Sequence, residues 1–180
     1  MSNHVKDMVA NVTINFVTIN DKTMDNFELE QFLPYRLNRA AEFVGLRFAA
    51  HYKARYGLTR PEWRTLAALG SSGRMTAKAI GVHSSMHKTK VSRAVAALEQ
   101  RRWLKRTEDE ADRRLENLEL TTAGQQAYKE LIELARQYQA ELDAEIGKAG
   151  VEALSEGLTK VETVIRKSAR GKKLPEPDDL

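Results

Sequence analysis

Between residues 84 and 99 the chain reads Ser-Ser-Met-His-Lys-Thr-Lys-Val-Ser-Arg-Ala-Val-Ala-Ala-Leu-Glu. His87, Lys88, Thr89, Lys90, Ser92 and Arg93 crowd donors and positive charge into a short span, and no acid follows until Glu99. Such groups bond to phosphate oxygens or to base edges. A guanidinium such as that of Arg93 can clamp a phosphate or grip guanine O6 and N7 through two bonds. Met86, Val91, Ala94, Val95 and Leu98 recur at three- and four-residue steps and can face a core, which makes the segment one amphipathic helix over about 85–101. Ser84 and Ser85 stand where they can cap its first turn or hold phosphate through hydroxyls and amides.

This is the chemistry of binding rather than of bond making. The sequence has no phosphate-loop glycine pattern, no nucleophile elbow and no HExxH. Ser92 has basic neighbours but no visible Asp–His partner. His83 and His87 stand four apart, a spacing that can serve a metal, yet no third ligand adjoins them and the chain has no cysteine. The expectation is therefore no enzyme, no metal and no cofactor. The absence of cysteine also excludes disulfides and thiol-based redox sensing.

The net charge of +4 conceals a segregation. Residues 51–106 hold 13 Lys or Arg against two acids, Glu62 and Glu99, a net of +11, whereas residues 1–50 carry −1 and residues 107–180 carry −6. A basic middle between neutral and acidic flanks is the electrostatic footprint of a nucleic-acid binder. No apolar run approaches the roughly 20 residues of a membrane span, and the first residues lack the pattern of a signal peptide. A cytoplasmic protein without a membrane role is the expectation.

The elements that must position this segment follow from periodicity and capping signals. Residues 1–29 form an N-terminal arm, in which Val12, Ile14 and Phe16 alternate as in a short strand or belong to a disordered tail. Leu33, Leu37, Ala40, Val44, Phe48 and Tyr52 mark a helix over 30–57 that Gly57 ends. Thr59-Arg60-Pro61-Glu62 is a capping box opening a helix to about Leu69, with 70–73 as a loop. Thr76 can cap a short helix ending near Gly81. After the basic helix, 103–107 and 113–120 read as a hairpin around a charged turn. Thr122-Ala123-Gly124-Gln125 is a second capping box, and apolar stripes mark two further helices, with a break at 147–150 and a frayed tail at 169–180. Residues 58–121 thus make a winged helix-turn-helix in a mainly α fold. The stripes of 30–57 and 122–168 exceed what so small a module covers, so these N- and C-terminal helices are expected to pair two copies as a homodimer.

Four pieces in this order carry a family resemblance: Leu58-Thr59-Arg60-Pro61-Glu62-Trp63-Arg64-Thr65-Leu66, the 86–99 segment, Asp112-Arg113-Arg114 in the wing, and Leu120-Thr121-Thr122-Ala123-Gly124. Over about residues 30–168 the chain resembles the MarR family of winged-helix transcription regulators. The resemblance implies a homodimer on a pseudo-palindromic site in double-stranded DNA, recognition helices in successive major grooves, and wings at the minor groove. It implies a repressor released by a small effector; some members activate. Ser92 and Arg93 match its Ser-Arg pair. Asp112 and Arg114 match its wing motif, in which the aspartate orients a minor-groove arginine, with Arg113 competing for that place. The family's effector pocket lies between the reading lobe and the dimer helices, where this chain has Tyr35, Arg36, Arg39, Phe43, Arg47, His51 and Trp63. Rings beside arginines suit an aromatic carboxylate or its thioester. The rival reading is a nonspecific architectural DNA-binding protein without a ligand.

Overall fold

The computed structural model describes residues 27–108 and 116–168. The expected arm strand around Val12–Phe16, the wing residues Asp112, Arg113 and Arg114, and the tail from 169 lie outside the described residues. The chain divides into residues 1–40 and residues 41–180. Helix α1, Leu33–Tyr56, begins in the first unit after a 3-10 turn at Leu29–Gln31. There Phe27 and Phe32 place their rings 5.3 Å apart, and the Arg39 guanidinium lies over the Tyr35 ring at 5.5 Å.

In the second unit α1 ends at Gly57, whose φ of 63° suits a residue without Cβ. Helix α2 spans Arg60–Ser72 and opens on the predicted capping box: the Thr59 hydroxyl accepts from the Glu62 amide, and the Glu62 carboxylate accepts from the Thr59 amide. A two-residue strand β1, Met75–Thr76, leads into α3, Ala77–Ser84, which Thr76 caps as expected through the Ala79 amide at 3.1 Å. Helix α4 is Lys88–Gln100, followed by strands β2, Leu104–Glu108, and β3, Glu116–Leu120. Helices α5, Thr122–Ile146, and α6, Lys148–Ser168, complete the chain. The sheet is antiparallel in the order β1-β3-β2, with Met75 opposite Leu118 and Leu104 opposite Leu120.

One core joins these elements. Leu66 and Leu69 of α2, Ile80 of α3, and Val91, Val95 and Leu98 of α4 are buried with Leu104, Leu118 and Leu131. Each such side chain contributes about 1.5–3 kcal/mol of apolar burial, set against the entropy of ordering it. The α4 stripe read from the sequence is therefore the face that α2, α3 and the sheet cover. Met86 is buried beside it, as predicted.

Five boundaries differ from the sequence reading; the break expected at 147–150 is Gly147 alone, since α6 already begins at Lys148. The expected loop at 70–73 is helix to Ser72, and the stop is Gly73 at φ 78°. Gly70 lies inside α2 because the Tyr128 ring occupies the space of a side chain; a Cβ there would stand 2.4 Å from it. Helix α3 passes the expected stop at Gly81 and ends at Ser84. Ser84 and Ser85 consequently do not cap α4: Ser84 closes α3 and is buried, and Ser85 turns the chain in the left-handed region at φ 49°. His87 takes the N-cap position instead, its Nδ1 accepting from the Thr89 amide at 3.3 Å. The second expected capping box is a single cap one residue earlier: Thr121 rather than Thr122 caps α5, through the Gly124 amide at 3.1 Å, and Gly124 has no side chain to return the bond. Strand β1 has no counterpart in the sequence reading.

The apolar stripe of α6 remains on the surface, with Leu154 52% and Ile165 49% exposed. On α1, Phe43, Val44 and Leu46 are likewise exposed. Among the described residues, no helix is long and apolar enough to cross a membrane.

Candidate nucleic-acid interface

Helix α4 turns Val91, Ala94, Val95 and Leu98 inward and leaves Lys88, Thr89, Lys90, Ser92 and Arg93 exposed. Its first turn holds no acid. Two lysines at the positive end of a helix dipole destabilise that end unless an anion joins them. The arrangement therefore suits a bound polyanion better than it suits an isolated helix. His87 is half-buried, and its Nδ1 is also 2.9 Å from the Thr89 hydroxyl.

A groove of about 720 Å³ runs between α3 and the start of α4. Lys88, Thr89, Ser92 and Arg93 line one side, and Lys78 and Val82 of α3 line the other. Lys78 and Val82 were not among the expected contacts, since nothing in the spacing of α3 says which face adjoins α4. Of the predicted DNA-contact residues, Lys88, Thr89, Ser92 and Arg93 thus share this groove, whereas His87 and Lys90 are not in its wall. Ser84 is buried behind it, and Ser85 is exposed at the turn.

Not every basic residue of the 51–106 stretch belongs to that surface. Arg101 donates to the carbonyls of Tyr56 and Gly57 at 3.0 and 3.2 Å and lies over the Trp103 ring at 5.4 Å, tying the end of α4 to the end of α1. Arg106 of β2 bonds Glu99 of α4 at 2.8 Å and Glu116 of β3 at 2.6 Å. Those carboxylates hold its guanidinium protonated well above the ordinary arginine value. Arg106 thereby anchors the base of the wing on the recognition-helix candidate. Lys105 and Arg74 share Glu119, whose carboxyl is held below its usual range first by the Lys105 hydrogen bond.

The expected effector residues divide between the two units. Tyr35, Arg36 and Arg39 belong to residues 1–40, and Phe43, Arg47, His51 and Trp63 to residues 41–180. In the second unit Trp63 is half-buried, 5.3 Å from the Phe48 ring and stacked on Tyr52 at 5.7 Å. His51 tilts over Tyr138, which stacks on Phe48. Both terminal nitrogens of Arg47 donate to the Glu145 carboxylate at 2.5 Å. That pairing raises the Arg47 pKa and lowers that of Glu145, so this guanidinium already has its anion. Phe43 is exposed. A cavity of about 280 Å³ opens beside Trp63, with Arg64, His83 and Tyr128 in its wall. Of the expected set only Trp63 reaches this cavity; Arg64, next in sequence, was the available signal.

Residues 56–115 match the model of the MarR family. No curated protein matches the sequence at a significant level. Among solved structures, a MarR/EmrR family transcriptional regulator from Acinetobacter sp. ADP1 is similar, with a TM-score of 0.68, 23% identity, and 78% of this chain and 99% of that one covered. A MarR family transcriptional regulator from Silicibacter pomeroyi is 26% identical, with a TM-score of 0.63 over 74% of this chain and 97% of its own. BpsR of Bordetella bronchiseptica, whose DNA binding is regulated by 6-hydroxynicotinic acid, superposes with a TM-score of 0.65 at 21% identity over 76% of this chain and 96% of its own. Residues 56–115 are thus similar to the MarR family, and the helix order and three-stranded sheet give the chain the fold of these solved regulators.

Proposed function

We propose that the protein is a sequence-specific homodimeric repressor that a small aromatic anion releases from a pseudo-palindromic operator. The observation that carries the reading is the exposed face of α4, where Lys88, Thr89, Lys90, Ser92 and Arg93 stand together on a helix whose other face is locked into the core. A rigidly held helix with this face is the device by which winged-helix proteins enter a major groove. Ser85 and His87 flank its start, and Asp112, Arg113 and Arg114 extend the contact to the minor groove. Two copies join through the exposed apolar faces of α1 and α6, doubling a contact that one module makes weakly. The test is a selected-fragment binding screen. The dimeric repressor binds its selected site at least about 10³-fold tighter than random duplex at the same salt; equal affinities would identify a nonspecific architectural protein.

The effector reading is supported by the aromatic group around Trp63 and by nearby cations. BpsR, a structural neighbour, responds to an aromatic acid. In this reading Arg36 or Arg39 pairs with the ligand's carboxylate. Release requires that the ligand prefer the DNA-free conformation, since equal affinity for both forms shifts nothing. A 100-fold preference corresponds to about 2.7 kcal/mol of coupling, within reach of one charge-assisted bond plus ring burial. Calorimetry with benzoate, cinnamate and thioester ligands should find one that weakens DNA binding. Arg36→Ala or Arg39→Ala should lower its affinity at least tenfold. Unchanged binding by both variants would move the charge partner elsewhere, with Arg64 next to test. Silence of the whole panel would end the aromatic-acid reading.

A further inference from the structure

Among the described residues, the large apolar side chains that stand exposed fall on α1, on the turn before it, at the end of α5 and on α6, with one exception. The exception is Val82 of α3, 54% exposed and the only one described between residues 57 and 121. On α3 around it Ile80, Gly81 and Ser84 are buried, Gly81 against the chain that follows, while His83 beside it is exposed. Gly81 is held so closely that a Cβ would stand 3.0 Å from the Met86 carbonyl oxygen. The turn into α4 therefore lies tight on α3 and fixes Val82 beside the start of that helix. Val82 lines the same groove as Lys88, Thr89, Ser92 and Arg93, and of the apolar side chains in that wall, with Met86 and Val91 buried, it is the large one that stands exposed.

In the major groove of B-form DNA each base pair offers donors and acceptors, and thymine adds one apolar feature, its 5-methyl group. We propose that Val82 is a specificity-determining residue that packs on a thymine 5-methyl group, so that each half-site holds one thymine selected through this contact. The proposal rests on the reading of α4 as the DNA-contacting helix. The charge of the groove supports DNA as its occupant, because Lys78 and Lys88, which line it with Val82, can hold phosphate while the valine meets the base edges. A recognition helix presents its N-terminal residues to base edges, and Val82 flanks that end of α4.

The experiment uses the full chain and its selected operator. Each thymine is replaced in turn by deoxyuridine, which lacks only the methyl, and affinity is read by fluorescence anisotropy at fixed salt for wild type, Val82→Ala and Arg93→Ala. Loss of one buried methyl weakens wild-type binding about fourfold at one position of a half-site. Val82→Ala, a change at an exposed position, should bind the all-thymine operator more weakly, lose its response at that position and keep its response elsewhere. A Val82→Ala protein that responds to every replacement as wild type does would overturn the proposal. So would uniform weakening on all duplexes, the result expected if the valine rests on a deoxyribose. Arg93→Ala separates the two levels: weakened Arg93→Ala with an unresponsive Val82 removes the methyl contact alone, whereas normal Arg93→Ala binding removes the DNA-contacting face itself.

Discussion

Replacing Gly124 by alanine is expected to destabilise the fold by about 3–4 kcal/mol, more than a methyl added at any other described glycine. The added Cβ would stand 1.9 Å from the Trp103 carbonyl oxygen and 2.8 Å from its carbon. Both are backbone atoms already fixed by other bonds. The Trp103 carbonyl accepts from the Thr121 amide at 3.1 Å, and the Trp103 amide donates to the Leu98 carbonyl at 3.0 Å. The Thr121 hydroxyl donates to the Arg102 carbonyl at 2.7 Å while accepting from the Gly124 amide. Neither side can yield without breaking the joint between wing and α5. Overpacking costs about 1–3 kcal/mol or more, and loss of the Thr121 cap adds about 1 kcal/mol. For a chain of this size that is roughly 10 °C in melting temperature. Gly70→Ala should cost less, because its obstacle is the Tyr128 ring, which can shift. Gly157→Ala, with nothing within 4 Å, should be neutral or slightly stabilising. Thermal melts at equal protein concentration check the order; a Gly124→Ala protein as stable as the Gly157→Ala protein would refute the close approach.

Five base pairs inserted between the operator half-sites are expected to weaken binding by about 10²- to 10⁴-fold. The half-sites of a two-fold dimer lie about one helical turn apart, and five pairs rotate one recognition surface to the opposite side of the duplex. One module then binds without the other, and the gain from linkage is lost. The exposed apolar faces proposed to join two copies motivate this outcome: α6 leaves Leu154, Leu158 and Ile165 exposed, and α1 leaves Phe43 and Leu46 exposed. Band-shift titration of paired duplexes reads the effect. Unchanged affinity on the expanded site would contradict the proposed dimer on a pseudo-palindrome.

Much of the fold was legible because its signals are local. Thr59 and Glu62 bond each other's backbone three residues apart, and Val91, Val95 and Leu98 repeat at the helical period, so both features are written in spacing alone. The misplaced boundaries depend on partners far along the chain. Gly70 looks like a breaker until Tyr128 packs against it, 58 residues later in sequence. Ser84, Ser85 and His87 can each cap a helix, and the choice follows from the left-handed turn at Ser85 and the burial of Ser84. Thr121 and Thr122 are chemically alike, and the Arg102 carbonyl favours the first. Strand β1 is two residues long, too short for any alternation.

The candidate site divides in the same way. Lys88, Lys90 and Arg93 were legible because the opposite helical face had to be core. Arg101 and Arg106 look identical to them in sequence, yet one ties α4 to α1 and the other holds the wing, through carbonyls and carboxylates that only the fold supplies. The family resemblance puts Arg47 among the effector residues, whereas its pairing is with Glu145 of α5, 98 residues away.

The most direct test of the central claim, that the exposed face of α4 contacts duplex DNA, is the affinity of Arg93→Ala across salt concentrations and single-base operator variants. Arg93 is exposed, so the variant should fold and assemble as wild type does. If Arg93 grips a base, discrimination at one position falls by roughly 1–3 kcal/mol; if it holds a phosphate, all duplexes weaken alike and the salt slope drops by about one. Either result is what this account predicts. A folded Arg93→Ala protein with wild-type affinity, specificity and salt slope would contradict it.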